Sequence, residues 1–549
     1  MRTKVLTLAA VAVLAVPVMR AQDAARPAAQ APTAPATPAA AKPAPAKGGT
    51  VAAAPVLPDA RTMVHDVGVA HGMLRGLAEN DATTTAQFQA TGTQYIVGQT
   101  FQPGGPWPAA KLTKYNVWIN YAVPGMRIDL ERTNPDGTIQ GGGGLPFAAP
   151  QRQIQAVAGN RAWNETMMPG GPGTPAIGQQ NDRLIQVWML PQGVVKAARM
   201  AGDKVKIGME GDRFTLTFPL PNHLAAYTEK VRLDTRKLVE HVEVMVDNPV
   251  LGDVKLEADY DNYKDPDLSD IPFPFHQVQK LGGFPILDIT LKNARMYNPY
   301  VVMPVPDNVE KAYAASAPDP QGNIEIQKAG TGVYFVTGAS HNSLAVEFKD
   351  YVVVIESPIG DNRAVPMYEA VRKQFPNKKI RYTIVTHHHF DHTGGLRDAV
   401  AEGGTLVTYQ TNKPYFEKIL VNPHTINPDR LQKTAPTKKP SVEVVMDKRV
   451  FTDGTQTLEL YKIQGSSHAD TMLIAYFPKD KLLVEADMWN PPANTTAPVA
   501  TGLAARETVN LFNNIQRLKL DVAQIAPIHG RMVPFADFLR AAGQGNNTR

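Results

Sequence analysis

A short segment near the middle of the chain carries four side chains with metal-ligand chemistry. They lie within six consecutive positions, directly after the strand-like run 382–385, and they are His387, His389, Asp391 and His392. Imidazole nitrogen and carboxylate oxygen are the ligands that zinc and other borderline divalent ions prefer. Residues two apart in an extended turn point the same way. The first two histidines can therefore hold one ion, while the aspartate and the last histidine face a second.

Three further candidate ligands follow at loops beside strand-like runs. His468 lies in a polar turn before the apolar run 472–477, Asp487 closes the run that begins at Leu482, and His529 follows the run 525–528. Loops at strand ends bring side chains from distant parts of a chain together. This ordered set of partners favours a metal site over a polar turn.

The order of these residues resembles the metallo-β-lactamase superfamily, whose pattern is H-x-H-x-D-H, then a lone His, a bridging Asp and a final His. The resemblance covers about residues 322 to 549, and all seven positions are filled. It implies one ion held by His387, His389 and His468. It implies a second ion held by Asp391, His392 and His529, with Asp487 bridging the two.

The resemblance also implies a reaction. Two ions about 3.5 Å apart can hold a bridging hydroxide, because each lowers the pKa of bound water from near 15.7 toward roughly 7. The expected chemistry is hydrolysis of an ester, thioester, lactone, lactam or sulfate ester in a small-molecule substrate, with Asp391 as a catalytic residue. The expected cofactors are two divalent metal ions, with zinc preferred and iron as the alternative.

Two other functions stay open at this stage. One is a mononuclear iron dioxygenase of the same fold, and the other is a lipid or lipoprotein carrier with a vestigial metal domain. One position departs from the family pattern: Glu356 stands where many members have Asp supporting the metal loop. We expect Gly394 and Gly395 to permit close backbone approach. His388 should point away from the ions, and ordinary surface or core positions are expected for His65, His71, His223, His241, His276, His341 and His424.

Composition and charge limit the kinds of partner and covalent link that the protein can have. The chain has 549 residues, 43% of them hydrophobic, and a formal net charge of +5. So weak a positive charge does not favour a nucleic-acid partner. The absence of cysteine excludes disulfides and thiolate ligands, so the fold rests on packing and metal.

The amino terminus has the composition of an export signal. Residues 1–21 begin with Arg2 and Lys4, continue as an apolar stretch and end at Ala21. This pattern predicts a cleaved signal peptide and a periplasmic or secreted protein. Residues 22–58 are mostly Ala and Pro, which predicts a disordered tether.

Residues 59–313 show strand after strand with apolar and polar side chains in alternation, which predicts an antiparallel β-rich domain with one wet face. We expect helices at 64–79 and 191–200. Segments 127–130, 160–163 and 260–264 resemble the lipoprotein-carrier family, which implies an apolar ligand or a lipoprotein as a partner of this domain. A hinge is predicted at 314–322.

Residues 323–549 have a different pattern. Uniformly apolar strands such as 351–355 alternate with helices such as 363–375 and 506–518. The resemblance implies an αββα sandwich with metals along one open edge. Because all seven proposed ligands follow residue 386, we expect the chemistry to reside here, with the first half shaping substrate access, binding a partner or stabilising the fold.

Overall fold

The computed structural model describes residues 57–75, 80–81, 83–166, 172–315, 319–492 and 502–544. The predicted signal segment and nearly all of the predicted tether lie outside these ranges. Among the helices of the described residues, none is both long enough and apolar enough to span a membrane.

The first half is dominated by one antiparallel sheet, which we call the N-terminal sheet. Along the strand Gly252–Lys264, Val254, Leu256 and Ala258 are buried while their neighbours are more exposed, as the alternating pattern predicts. From edge to edge its thirteen described strands are Thr174–Pro175, Arg161–Asn164, Gln151–Ala158, Gly125–Thr133, Ala109–Asn120, Thr85–Tyr95, Phe284–Met296, Phe273–Leu281, Gly252–Lys264, Val239–Asn248, Thr228–Leu233, Arg213–Pro219 and Lys206–Glu210. A separate small hairpin pairs Leu74–Arg75 with Asn80–Asp81.

Helices pack against apolar side chains of this sheet. They span Ala60–Ala70, Gln180–Met189, Pro191–Ala201 and Asp307–Ala314. The helix expected at 64–79 begins earlier and ends at Ala70, since Gly72 adopts a left-handed backbone with φ of 65° and the strand Leu74–Arg75 follows. The helix predicted at 191–200 is present, and Pro191 occupies its first turn, where proline is tolerated.

The second half contains two sheets. A seven-stranded sheet consists, in spatial order, of Glu325–Gly330, Val333–Thr337, Ser343–Glu347, Tyr351–Ile355, Lys379–Ile384, Thr405–Tyr409 and Val442–Val445. A six-stranded sheet consists of Lys448–Thr452, Thr457–Lys462, Leu473–Phe477, Leu482–Glu485, Gln524–Pro527 and Val533–Pro534. Central strands such as Tyr351–Ile355 and Leu473–Phe477 are apolar because both of their faces are covered.

The two sheets face each other across a core that includes Phe335, Val353 and Phe477. Helices cover the outer face of the seven-stranded sheet at Asp361–Gln374, Phe390–Thr393, Leu396–Glu402, Asn412–Ile419 and Arg430–Thr434. Arg506–Leu518 and Phe535–Ala541 cover the outer face of the six-stranded sheet. The order of layers is therefore helix, sheet, sheet, helix, which confirms the expected αββα sandwich preceded by an antiparallel β domain.

The two halves pack directly against each other. The ring of Phe390 lies against Gly98, and it is only 3% exposed. In a second contact between the halves, the backbone N–H of Asp253 donates to the carbonyl of Pro423 at 2.8 Å. The predicted hinge lies between the helix that ends at Ala314 and the 3-10 turn Pro320–Gly322, and its residues 316–318 are outside the described ranges.

Candidate metal centre

The candidate ligands converge where the strand Lys379–Ile384 ends. This strand lies between two parallel neighbours, so its carboxyl end opens at the middle of the sheet edge. The chain continues into the loop of His387 and then into the short helix Phe390–Thr393, which carries Asp391 and His392. The backbone N–H of Leu473 donates to Thr386 O at 2.9 Å and brings the loop of the six-stranded sheet beside this one.

The side chains form two groups, each with ligand atoms that lie within 4.8 Å of one another. The first group consists of His387, His389, His468 and Asp487. The second group consists of His341, Asp391, His392 and His529. All seven predicted ligands are therefore brought together, and the structure adds His341.

Two histidines of the first group are anchored by one ring nitrogen and leave the other unused. His387 Nδ1 lies 3.0 Å from Thr386 Oγ1, and His389 Nε2 donates to the carbonyl of Thr100 at 2.8 Å. Among the described residues, His387 Nε2, His389 Nδ1 and His468 Nε2 are buried and have no hydrogen-bond partner. Buried polar atoms are rarely left unpaired, so three of them facing one another fit a divalent metal ion.

Asp487 lies between the two groups. Its Oδ2 approaches Nε2 of His387 at 3.2 Å and Nε2 of His392 at 2.8 Å. Its Oδ1 approaches Nε2 of His529 at 2.8 Å. The contact with His387 lacks hydrogen-bond geometry, and a carboxylate so placed can serve ions on both sides.

The backbone holds Asp487 in an unusual conformation. Its φ is 59°, in the left-handed region that residues other than glycine seldom adopt. Glu485, fully buried, accepts from the backbone N–H groups of Met488 and Trp489 at 3.1 and 3.2 Å and so closes the turn around Asp487. Burial raises the pKa of Glu485 to about 8.

Glu356 supports the metal loop despite its departure from the family pattern. Its Oε1 accepts from the backbone N–H of Thr386 at 2.8 Å, and its Oε2 accepts from Nδ1 of His392 at 3.0 Å. The second contact fixes the ring and turns its Nε2 toward Asp487. The longer carboxylate thus positions the metal loop from a fully buried site.

The electrostatics leave His387 and Asp487 deprotonated but keep a proton on His392. Burial opposes the charge of His392, yet Asp487 and Asp391 raise its pKa well above the ordinary value, so a metal ion bound there would displace that proton. Burial, reinforced by the neighbouring His392, lowers the pKa of His387 to about 4, so its ring is neutral at pH 7. Burial opposes ionisation of Asp487, yet His392 and His529 hold its pKa well below the ordinary value. Neutral imidazole and ionised carboxylate are the forms that bind metal.

Residues 336–518 match the family model of the metallo-beta-lactamase superfamily. This segment is a metallo-beta-lactamase superfamily domain. Solved structures similar to the chain include a metallo-beta-lactamase from Pontibacter korlensis, at 18% identity and a TM-score of 0.31, covering 41% of this chain and 100% of that one. Another is a metallo-beta-lactamase from Hirschia baltica, at 21% identity and a TM-score of 0.29, covering 41% of this chain and 98% of that one. None of the curated proteins compared with the chain matches it.

The sequence did not single out His341 of the metallo-beta-lactamase domain, which was expected to be an ordinary histidine. Its Nε2 lies 3.3 Å from Asp391 Oδ2, and its ring centroid lies 4.2 Å from that of His529. The feature that could have indicated this position is that His341 lies directly before the strand Ser343–Glu347. In that strand, Leu344 pairs with Ile355. This antiparallel pairing puts His341 at the same sheet edge as Glu356.

Two smaller expectations concern neighbours of the ligands. His388 turns away from the groups but is not exposed: it is 1% accessible, with Nδ1 2.8 Å from Thr471 Oγ1 and Nε2 donating to Thr100 O at 2.9 Å. Gly394 lies against the carbonyl of Ile359 so closely that a Cβ atom would overlap it. The expected close backbone approach is therefore present.

No comparison bears on the carrier-like resemblance of the N-terminal domain, and it stays a prediction. The structure does show that this domain reaches the metal centre. Thr100 O accepts from His389, and Gln99 Nε2 donates to Asp391 Oδ1 at 2.8 Å. Nothing in the local sequence around these two residues indicates that contact, because it arises from packing between the halves.

Proposed function

We propose that this protein is an exported dinuclear metal-dependent hydrolase that acts on an ester, thioester, lactone, lactam or sulfate ester. The observation that carries the proposal is the pair of four-residue groups sharing Asp487. Two groups of nitrogen and oxygen ligands support two ions, with zinc as the preferred metal. When bound, such ions supply the Lewis acidity that makes water a nucleophile at neutral pH and that stabilises negative charge developing on the substrate.

The chain's own residues hold and orient the reacting groups. His387 and His389 present nitrogens fixed by hydrogen bonds on the opposite side of each ring. Asp391 is ionised, since His392 and His341 hold its pKa well below the ordinary value against the opposing effect of burial. Its side chain is 20% exposed, so it can accept a hydrogen bond from the attacking water and orient that water toward a substrate.

The experiment combines elemental analysis of the purified full chain with a panel of hydrolase substrates. We expect about two metal ions per chain and turnover of at least one member of the panel. The Asp487→Asn variant removes the shared carboxylate, and the control Asp521→Asn changes an aspartate that is 73% exposed and pairs with Lys481. Wild-type protein that binds no divalent metal, or that keeps full turnover without it, contradicts the proposal.

The same preparation tests the two alternatives. A mononuclear dioxygenase would contain one iron per chain and consume dioxygen with its substrate. The ligand arrangement supports two ions better, because each of the two groups brings four possible ligand side chains together. A carrier with a vestigial metal domain would copurify with an apolar ligand on residues 59–313 and would hydrolyse nothing in the panel.

Export is proposed from the sequence alone. Arg2 and Lys4 precede an apolar stretch that ends at Ala21. We expect amino-terminal sequencing of protein from the extracytoplasmic fraction to begin near Gln22. Intact Met1 on protein recovered from the cytoplasm would contradict this part of the proposal.

A further inference from the structure

Two loops of the N-terminal domain lie directly against the metal centre. One contains Gln99 and follows the strand Thr85–Tyr95, and the other contains the glycine run Gly141–Gly144. Backbone hydrogen bonds attach both loops to the turn that carries His468. Gly141 N donates to Ser467 O at 2.9 Å, and Asp470 N donates to Phe101 O at 2.9 Å.

Gly142 touches the rings of two first-group histidines. A Cβ atom at this position would lie 2.6 Å from Cε1 of His389 and 2.7 Å from Cε1 of His468. Real Cβ atoms essentially never approach a neighbour within 3.0 Å. The backbone of Gly142 is outside the left-handed region, so crowding by Gln99 Oε1, which would be the nearest atom, and by the two rings, rather than backbone strain, is what excludes a side chain.

Gln99 links this contact to the second group. Its side-chain Nε2 donates to Asp391 Oδ1 at 2.8 Å, and its carbonyl accepts from Gly142 N at 3.0 Å. Asp391 keeps its other oxygen, Oδ2, turned toward His341 and the remaining second-group side chains. Only 4% of Gln99 is exposed, so its carboxamide is held in place by the surrounding protein.

The two groups differ in how far they are covered. His387 and His389 are fully buried, and the His468 side chain is 9% exposed beneath Gly142. In contrast, the side chains of Asp391 and His529 are 20% and 19% exposed. The accessible side of the centre is therefore the side of the second group.

We propose that the N-terminal domain completes the active site. Gly142 closes the side of the first group, and Gln99 is a positioning residue that orients Asp391. A substrate then approaches over Asp391 and His529, with the glycine loop as one wall of its path. This inference rests on the proposed metal-dependent function, and it gives the N-terminal domain a direct part in that function.

The alternative is that these loops only hold the two halves together. A separate contact between the halves already does so, since Asn422 Nδ2 donates to Leu251 O at 2.9 Å and Thr425 N donates to the Asp253 carboxylate. A purely structural role predicts changes in thermal stability alone. A positioning role predicts changes in the affinity of one particular metal ion.

The test measures stepwise binding of Co²⁺ and Zn²⁺ to the metal-stripped full chain, together with metal content, kcat, KM and melting temperature. Gln99→Ala should weaken binding of the second-group ion by about 10- to 100-fold, since loss of a residue that orients a ligand typically has that effect. It should leave the first-group ion unchanged. Gly142→Ala should weaken the first-group ion, whose cobalt spectrum should also shift.

Matched controls change the same residue types elsewhere. Gln94→Ala removes a side chain in the same region that contacts Arg132 at 3.4 Å. Gly322→Ala adds a Cβ atom that has room, since it would lie 3.5 Å from Asn362 O. Both controls should bind the two ions as the wild type does. If Gly142→Ala does not fold, the Gln99→Ala titration decides the question alone.

The outcomes separate this inference from the function on which it rests. Wild-type protein that binds two ions, with Gln99→Ala and Gly142→Ala matching it in both affinities and in kcat/KM, overturns the inference and leaves the hydrolase proposal standing. Wild-type protein that binds no divalent ion overturns both. A selective loss of one ion in each variant, with the controls unchanged, supports a completed site.

Discussion

Oε2 of Glu356 lies 3.0 Å from Nδ1 of His392, and both side chains are fully buried. The other oxygen of the same carboxylate accepts from the backbone N–H of Thr386 at 2.8 Å. One carboxylate therefore satisfies two donors, one on each side of the H-x-H segment. No amide can do this, because it offers an acceptor at one end only.

Replacing Glu356 with Gln should therefore leave either Thr386 N–H or His392 Nδ1 facing a donor. We expect the free energy of unfolding to fall by about 1–3 kcal/mol, the usual cost of leaving a buried polar group unpaired. The ion held by the second group should bind about 10- to 100-fold more weakly. Denaturant unfolding and metal titration measure the two effects. Glu325→Gln, at an exposed strand position, is the control, and equal behaviour of both variants would refute the role of Glu356.

Asp487 approaches histidines of both groups with its two carboxylate oxygens. Asp487→Ala should lose most of the turnover and at least one bound ion, because the bridge between the groups is gone. The strands on either side of it are buried by apolar packing and should keep the fold. Metal content, turnover and circular dichroism test these expectations. Full metal content together with full turnover would show that Asp487 does not bridge.

His341 should contribute to the second group. Its Nε2 lies 3.3 Å from Asp391 Oδ2, among side chains whose ligand atoms lie within 4.8 Å of one another. His341→Ala should weaken binding of the second ion and leave the first ion unchanged, as measured by stepwise cobalt titration. His223→Ala, which removes an exposed histidine, is the control. If His341→Ala binds both metal ions as tightly as the wild type does, His341 is an ordinary buried histidine and does not contribute to the second group.

The seven predicted ligands could be recognised because each lies beside an apolar strand, where local pattern and spacing carry the information. Buried strands such as Tyr351–Ile355 were predictable for the same reason. His341 could not be predicted in the same way, because its role depends on which strands become neighbours. The pairing of Leu344 with Ile355 determines that arrangement. Gln99 and Gly142 are harder still, since they reach the centre only through packing of one half against the other.

The carboxyl pair formed by the buried Asp398 and the partly exposed Asp361 should make stability depend on pH. Asp398 is 1% exposed, and burial, reinforced by the neighbouring Asp361, raises its pKa to about 9. The unfolded chain releases this proton near pH 3.9. The folded protein therefore holds a proton that the unfolded protein lacks between about pH 4 and 9, and stability falls as pH rises through that window.

Asp398→Asn should remove this dependence, because its amide donates toward Asp361 at every pH. The slope lost is at most about 1.4 kcal/mol per pH unit. We therefore expect the variant to be more stable than the wild type at pH 8 and closer to it at pH 5. Urea unfolding in the presence of a chelator measures the difference without any contribution from metal binding. Asp136→Asn, at a side chain 94% exposed, should keep the wild-type slope. If Asp398→Asn also keeps that slope, Asp398 is ionised in the folded protein at neutral pH and its carboxyl group does not cause the pH dependence.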